Sequence, residues 1–175
     1  MKGFLLATVL AVVMVPNAFA QQPAAPSVSA DLALAMVQEA VMKCRADGFK
    51  VAAKVVDAAN VERAALRDDG AMSIHLQFAQ SKINSVLLTG RPSGSNPNGA
   101  PTMIKGAAPK QTAFGAVLGT DASGQLMAGI DAGGAIPIMA GGAMIGVIGV
   151  GGAPSPTNDI ACASAGLAKV ADKLK

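Results

Sequence analysis

The sequence contains no tryptophan and no tyrosine, and aromatic residues make up only 3% of it. Proteins that bind single-stranded nucleic acid stack bases on aromatic side chains beside a basic groove. This chain lacks both, because its formal charge of +3 is small and its cations are scattered, so no nucleic-acid partner is expected. A single histidine, His75, excludes any multi-histidine metal centre. A catalytic nucleophile needs a base and an orienting group within reach, and here only Cys162 or a serine beside His75 could supply one. No self-sufficient catalytic constellation is visible. Long apolar runs are also missing: the stretch over residues 4–15 falls short of the roughly 20 residues that a spanning helix needs.

That short run has a different meaning in context. Met1-Lys2 precedes it and Ala18-Phe19-Ala20 follows it, the small-x-small pattern of a signal-peptidase site. Residues 1–20 are therefore expected to be a signal peptide, which places the mature chain in the periplasm or outside the cell, with no membrane span after cleavage. Residues 21–28, with Pro23 and Pro26, read as a disordered leader. Residues 29–175 then fit one domain, whose core must be built from Ala, Val, Ile, Leu and Met.

Periodicity divides this domain into helices and strands. Residues 31–47 place apolar side chains at helical spacing (Leu32, Met36 and Ala40 beside Ala33, Val37, Val41 and Cys44), with Ser29 as N-cap and Gly48 as terminator. Residues 51–57 and 61–67 predict a hairpin that turns at Ala58-Ala59-Asn60. A second amphipathic helix is expected over 73–88, with Leu76, Ala79, Ile83, Val86 and Leu87 as its stripe. Residues 89–109, rich in Pro, Gly, Ser and Asn, predict a long loop. Strands follow at 114–118, 125–130, 136–140 and 143–150, the last two joined by Gly141-Gly142. The final helix, from residue 157 or 158 to 174, carries the stripe Ile160, Ala163, Leu167, Val170 and Leu174. The class is α+β: an antiparallel sheet of about five to six strands, covered by helices.

Several segments resemble the GlcG/HbpS-like (haem-degrading domain) family and its exported members. They are Cys44-Arg45-Ala46-Asp47-Gly48, the hairpin end Leu66-Arg67-Asp68-Asp69-Gly70-Ala71, Gly133-Gly134 with Pro137-Ile138, the run Ile145-Gly146-Val147-Ile148-Gly149-Val150, and the helix opening at Asp159. The resemblance implies a profilin-like layered fold, homo-oligomeric assembly and, in some members, haem or a related tetrapyrrole as ligand. The match has departures. Exported members carry an acidic residue where this chain has Ile160. They also carry a histidine that in ungapped register would fall at Ile74, one helical position and so about 100° from His75.

Each candidate residue has two readings. His75, at the edge of the apolar stripe near Ala79 and Lys82, could ligate haem iron through a neutral ring nitrogen, or stand as a partly exposed residue with no ligand. Lys82 and Arg67 could each meet a propionate or other anion, or be solvated. Met72, Met139 and Met144 could be axial ligands, or fill space in a core short of aromatics. Asp68-Asp69 before Gly70 is a turn. The glycines of residues 133–152 form no phosphate loop, since no Gly-x-Gly-x-x-Gly occurs. In paired strands such glycines mark close approach, here assigned to a neighbouring subunit rather than a ligand. Cys162 could be a low-pKa thiol near Lys169 and Lys173. Alternatively Cys44 and Cys162 form a disulfide, as their match to positions used by exported relatives implies.

The expected function is an exported homo-oligomeric binding module whose pocket, near His75 and the Gly133-Gly134 turn, takes haem or a comparable small hydrophobic anion. Its alternative is a cofactor-free structural or accessory protein.

Overall fold

The computed structural model describes residues 27–95, 116–120 and 126–174. The expected signal peptide, most of the leader, the 89–109 loop beyond residue 95 and the turn after Thr120 lie outside the described residues.

Ser29 opens helix α1 (Ala30–Ala46), its hydroxyl accepting the Leu32 N–H at 3.4 Å. Asp31 in the first turn, and Lys43 and Arg45 in the last, complement the helix dipole. Gly48, at φ 84°, ends the helix by taking the left-handed conformation that a side chain resists. Val28, one residue before the expected Ser29, is buried as well. Strands β1 (Ala52–Asp57) and β2 (Glu62–Arg67) form the predicted hairpin. Asn60 turns it at φ 64°, and the Asp57 carboxylate accepts the Ala59 and Val61 N–H groups at 3.0 and 2.9 Å.

Helix α2 (Ile74–Thr89) follows, then strands β3 (Ala116–Thr120), β4 (Leu126–Ile130), β5 (Ala135–Ala140) and β6 (Ala143–Gly151), and helix α3 (Pro156–Ala168). The strands do not form one sheet. Four of them pair antiparallel in the order β2-β1-β6-β5, while β3 and β4 make a separate two-stranded ribbon. The main sheet is therefore smaller than expected, and the free edge of β5 explains why. Ser93 occupies that edge at Ala135, both accepting its N–H and donating to its carbonyl at 2.9 Å. Two residues on, Pro137 has no N–H to offer another strand. Helix α3 also ends earlier than the predicted residue 174. Val170 leaves the helical region at φ −121°, and a 3₁₀ turn, Ala171–Lys173, follows.

Helices α1 and α3 cover one face of the main sheet and α2 covers the other. The larger core lies under α1 and α3 and includes Met36, Val37, Val55, Ile138 and Ile148. The smaller lies under α2 and comprises Val56, Ile83, Val86, Ala135 and Val147. Both are aliphatic, as the composition requires. Glycines of β6 let α2 sit directly on the strand. A Cβ on Gly149 would fall 2.6 Å from Ile83 Cγ1, and one on Gly151 would fall 2.8 Å from the His75 carbonyl oxygen. The expectation that these glycines receive a neighbouring subunit is thus corrected: the space over Gly149 and Gly151 is filled by the chain's own helix.

Two ties, one covalent and one ionic, fasten α1 to its neighbours. Cys44 and Cys162, both fully buried, form a disulfide between α1 and α3 that closes a span of 118 residues. Cys162 is therefore no free thiol, and it lies on the buried face of α3 rather than beside the terminal lysines. Next to Cys44, Arg45 donates from Nε to Asp68 Oδ1 at 3.0 Å and again from its terminal nitrogen. That hydrogen bond is the main reason the buried Asp68 carboxyl titrates below the usual carboxylate range. No helix among the described residues is long and apolar enough to cross a membrane.

Replacing both cysteines with serine removes a cross-link over a long loop, and urea unfolding should show a loss of about 2–5 kcal/mol. Asp68→Asn should destabilise in a pH-dependent way. A carboxyl depressed in the folded state contributes stability above its ordinary value, near 3.8, and loses it as the pH falls through the folded value. The difference between native protein and variant should hold steady around neutral pH and close below about pH 4, as read from denaturant midpoints at each pH.

Candidate functional site

The site forms where the first half of α2 meets the end of β6 and the start of α3. Positions 75, 79, 82, 83 and 86 of α2 all turn inward, so His75 lies on the buried stripe itself and is only 7% exposed. Phe78, one turn along, stays 41% exposed and stacks with the imidazole at a centroid distance of 6.2 Å. After β6 the chain crosses His75 at Gly152, φ 118°, where any Cβ would collide with Nδ1 of the ring. Only glycine fits there, both for its backbone angle and for that space. Nδ1 is buried and has no hydrogen-bond partner.

Lys82, two turns after His75, is as deeply placed. Its ammonium donates to Asp159 Oδ2 at 2.5 Å and to the Val150 carbonyl at 3.2 Å. The two side chains are 9% and 4% exposed, so this is a buried ion pair. Asp159 stands in the first turn of α3, where the helix dipole favours a carboxylate. Its second oxygen accepts the Ala153 N–H at 3.1 Å. Burial pushes the Asp159 carboxyl above its ordinary range, and the Lys82 hydrogen bond works against that rise without cancelling it. Gly134, at φ 138°, backs onto the pair: a Cβ there would fall 2.7 Å from Lys82 Nζ.

These groups border a cavity of about 260 Å³, lined by His75, Phe78, Lys82, Gly152, Asp159 and the rim prolines Pro154 and Pro156, among others. Of the predicted site residues, His75 and Lys82 line it, and Gly134 supports it from behind. Gly133 sits one residue away, against the Ile160 side chain of α3. Arg67 is not part of the lining; it is exposed and donates to the Ala71 carbonyl. Met72 and Met139 are exposed and Met144 packs under α2, none of them in the lining. Sequence reasoning missed the rest of the lining as site residues, Asp159 and Gly152 foremost. Asp159 was legible only as a helix-start carboxylate, because its cation is 77 residues away. Among the described residues, no group of three or more His, Cys, Asp or Glu could hold a metal ion.

Removing one partner of a buried pair strands the other's charge at a cost of about 3–5 kcal/mol. Lys82→Met and Asp159→Asn should each destabilise by an amount of that order, and the double variant by clearly less than their sum. Urea unfolding of the four proteins measures the coupling.

The sequence signature of the family described as "Haem degrading protein HbpS-like" matches residues 28–168. No curated protein matches the sequence. Among solved structures, a crystal structure of HbpS is 25% identical and superposes with a TM-score of 0.65, covering 85% of this chain and 93% of that one. A double mutant of HbpS from Streptomyces reticuli gives the same identity and TM-score over 90% of this chain and 97% of its own. A PduOC structure solved as a haem complex shares the fold at 17% identity and a TM-score of 0.61, over 82% of this chain and 94% of its own. With the signature spanning both cores and every element of the site, this chain belongs to the HbpS-like family of haem-degrading proteins.

Proposed function

We propose that this chain is an exported haem-binding protein in which His75 would hold the iron. The observation that carries this reading is a nine-tenths-buried imidazole lining a cavity, with its Nδ1 unpaired, while the one carboxylate in the same lining, Asp159, is already held by Lys82. A lone histidine cannot hold a free transition metal. A porphyrin brings four nitrogens of its own and needs only one or two further ligands from the protein. Nδ1 is sealed against Gly152, which leaves Nε2 to meet the iron. Phe78 and the rim prolines supply apolar walls for part of the macrocycle. Bound haem would bring iron redox and oxygen chemistry to this pocket. The chain's own residues would hold it: His75 would meet the iron, and Phe78 and the rim prolines would contact the macrocycle.

Other features favour the rest of the reading. The Lys2, apolar-run and Ala18-Phe19-Ala20 sequence supports export, and a buried disulfide suits an oxidising compartment such as the periplasm. Family membership supports homo-oligomeric assembly, which the native mass of the purified protein checks. Pockets that enclose drug-sized ligands run from about 300 Å³ upward. At about 260 Å³ the cavity takes in only part of a tetrapyrrole, leaving the remainder at the surface.

Haemin added to the purified mature protein should give a saturable Soret band. His75→Ala should abolish the histidine-ligated spectrum while leaving the circular dichroism unchanged, and imidazole added to His75→Gly should restore it. A native protein that binds haemin no more strongly than an unrelated control protein would reject the reading.

A further inference from the structure

Haem carries two propionates, and the usual way to hold them is a free cation within the pocket. This cavity has none to give among its described lining residues. Lys82 is the sole lysine or arginine in the lining, and its charge is already matched by Asp159 at 2.5 Å inside the protein. The remaining side-chain hydroxyl at the rim, that of Ser155, is bonded to Asn158 at 2.5 Å. The Ala153 N–H is directed to Asp159 Oδ1. Pro154 and Pro156 have no N–H at all. A carboxylate entering the cavity would lose its water, gain no unmatched cation, and approach the Asp159 charge. The apolar part of a macrocycle meets Phe78, Ala153 and the two prolines instead.

We infer that the site selects an iron tetrapyrrole by its apolar portion and its metal, with the propionates outside the cavity, so that none of the described lining residues recognises the carboxylates. This rests on the haem-binding reading and adds a specificity to it. Arg67, the other cation the sequence offers for a propionate, is turned to the Ala71 carbonyl and stands outside the lining.

The test compares iron protoporphyrin IX with its dimethyl ester, which keeps the ring, vinyl groups and iron but has no negative carboxylates. Both are titrated into the mature protein in the same dilute detergent and followed by the Soret band. Only the binding lost in His75→Ala is counted, which removes non-specific uptake of the more apolar ester. The two affinities should agree within about threefold, and the affinity for the free acid should be nearly independent of salt. An ester that binds ten or more times more weakly than the acid overturns the specificity while leaving haem binding intact. Failure of both porphyrins to bind, or equal binding by His75→Ala, overturns the haem reading and the specificity with it.

Discussion

The contact of α2 with the glycines of β6 is the constraint on which the rest of the structure depends. A helix normally rests on a sheet through two layers of side chains, roughly 10 Å from the strands. Here Gly149 and Gly151 remove one of those layers, so that the Ala79 and His75 carbonyls lie within van der Waals reach of the strand's backbone. The lowered helix has two consequences. It drives His75 and Lys82, which a normally spaced helix would leave near the rim, into the interior. It also brings Lys82 close enough to the end of β6 and the start of α3 to meet the Val150 carbonyl and Asp159. The glycine run that makes the sequence look like a loop or an interface is what makes the pocket deep.

A buried ion pair needs a frame that does not relax, since its attraction offsets desolvation only at good geometry. The disulfide supplies part of that frame from the opposite face of the sheet. Cys162 lies one helical turn beyond Asp159 on α3, and its partner Cys44 is adjacent to Arg45, which fastens Asp68. Asp68 in turn begins the turn that leads into α2 a few residues before His75, with the Ala71 N–H closing on the Asp68 carbonyl at 3.0 Å. One cross-link thus steadies both approaches to the cavity: α3 with Asp159, and the entry to α2 with His75. An aromatic-poor core of Val, Ile and Ala offers less burial per residue than one built on large rings, and such fastenings matter more in it.

The parts legible in the sequence are those governed by local periodicity. The spacing of Ala33, Val37, Val41 and Cys44 was enough for α1, and the alternation around Asn60 for the first hairpin. The sheet's division into four strands and two was not legible. It turns on Ser93, outside any strand, bonding to Ala135, 42 residues later in the chain. The site was half legible. His75 and Lys82 stood out by residue type, but helical counting placed the histidine at the edge of its stripe because the stripe's true centre is set by the glycines opposite. Asp159 and Gly152 were invisible as members, since nothing within ten residues of either gives a reason for a partner. The resemblance to the HbpS-like family rested on the right glycine-rich strands, whereas the reading of glycine in paired strands assigned their open face to a subunit that the chain's own helix replaces.

The one-residue offset between His75 and the position expected from exported members takes on a different weight once the helix is in place. Ile74 is the first residue of α2 and only partly buried, while the side chain at 75 points onto Gly152 and into the cavity. A histidine at 74 would be about 100° away, outside this stripe. The shift therefore does not remove the imidazole from a site; it puts it in this one. What it changes is the backing: Nδ1 meets the bare backbone at Gly152 in place of an acceptor, and a ligating histidine normally donates its second N–H to a carbonyl or carboxylate. An imidazole without that partner would be a weaker electron donor to any metal it met.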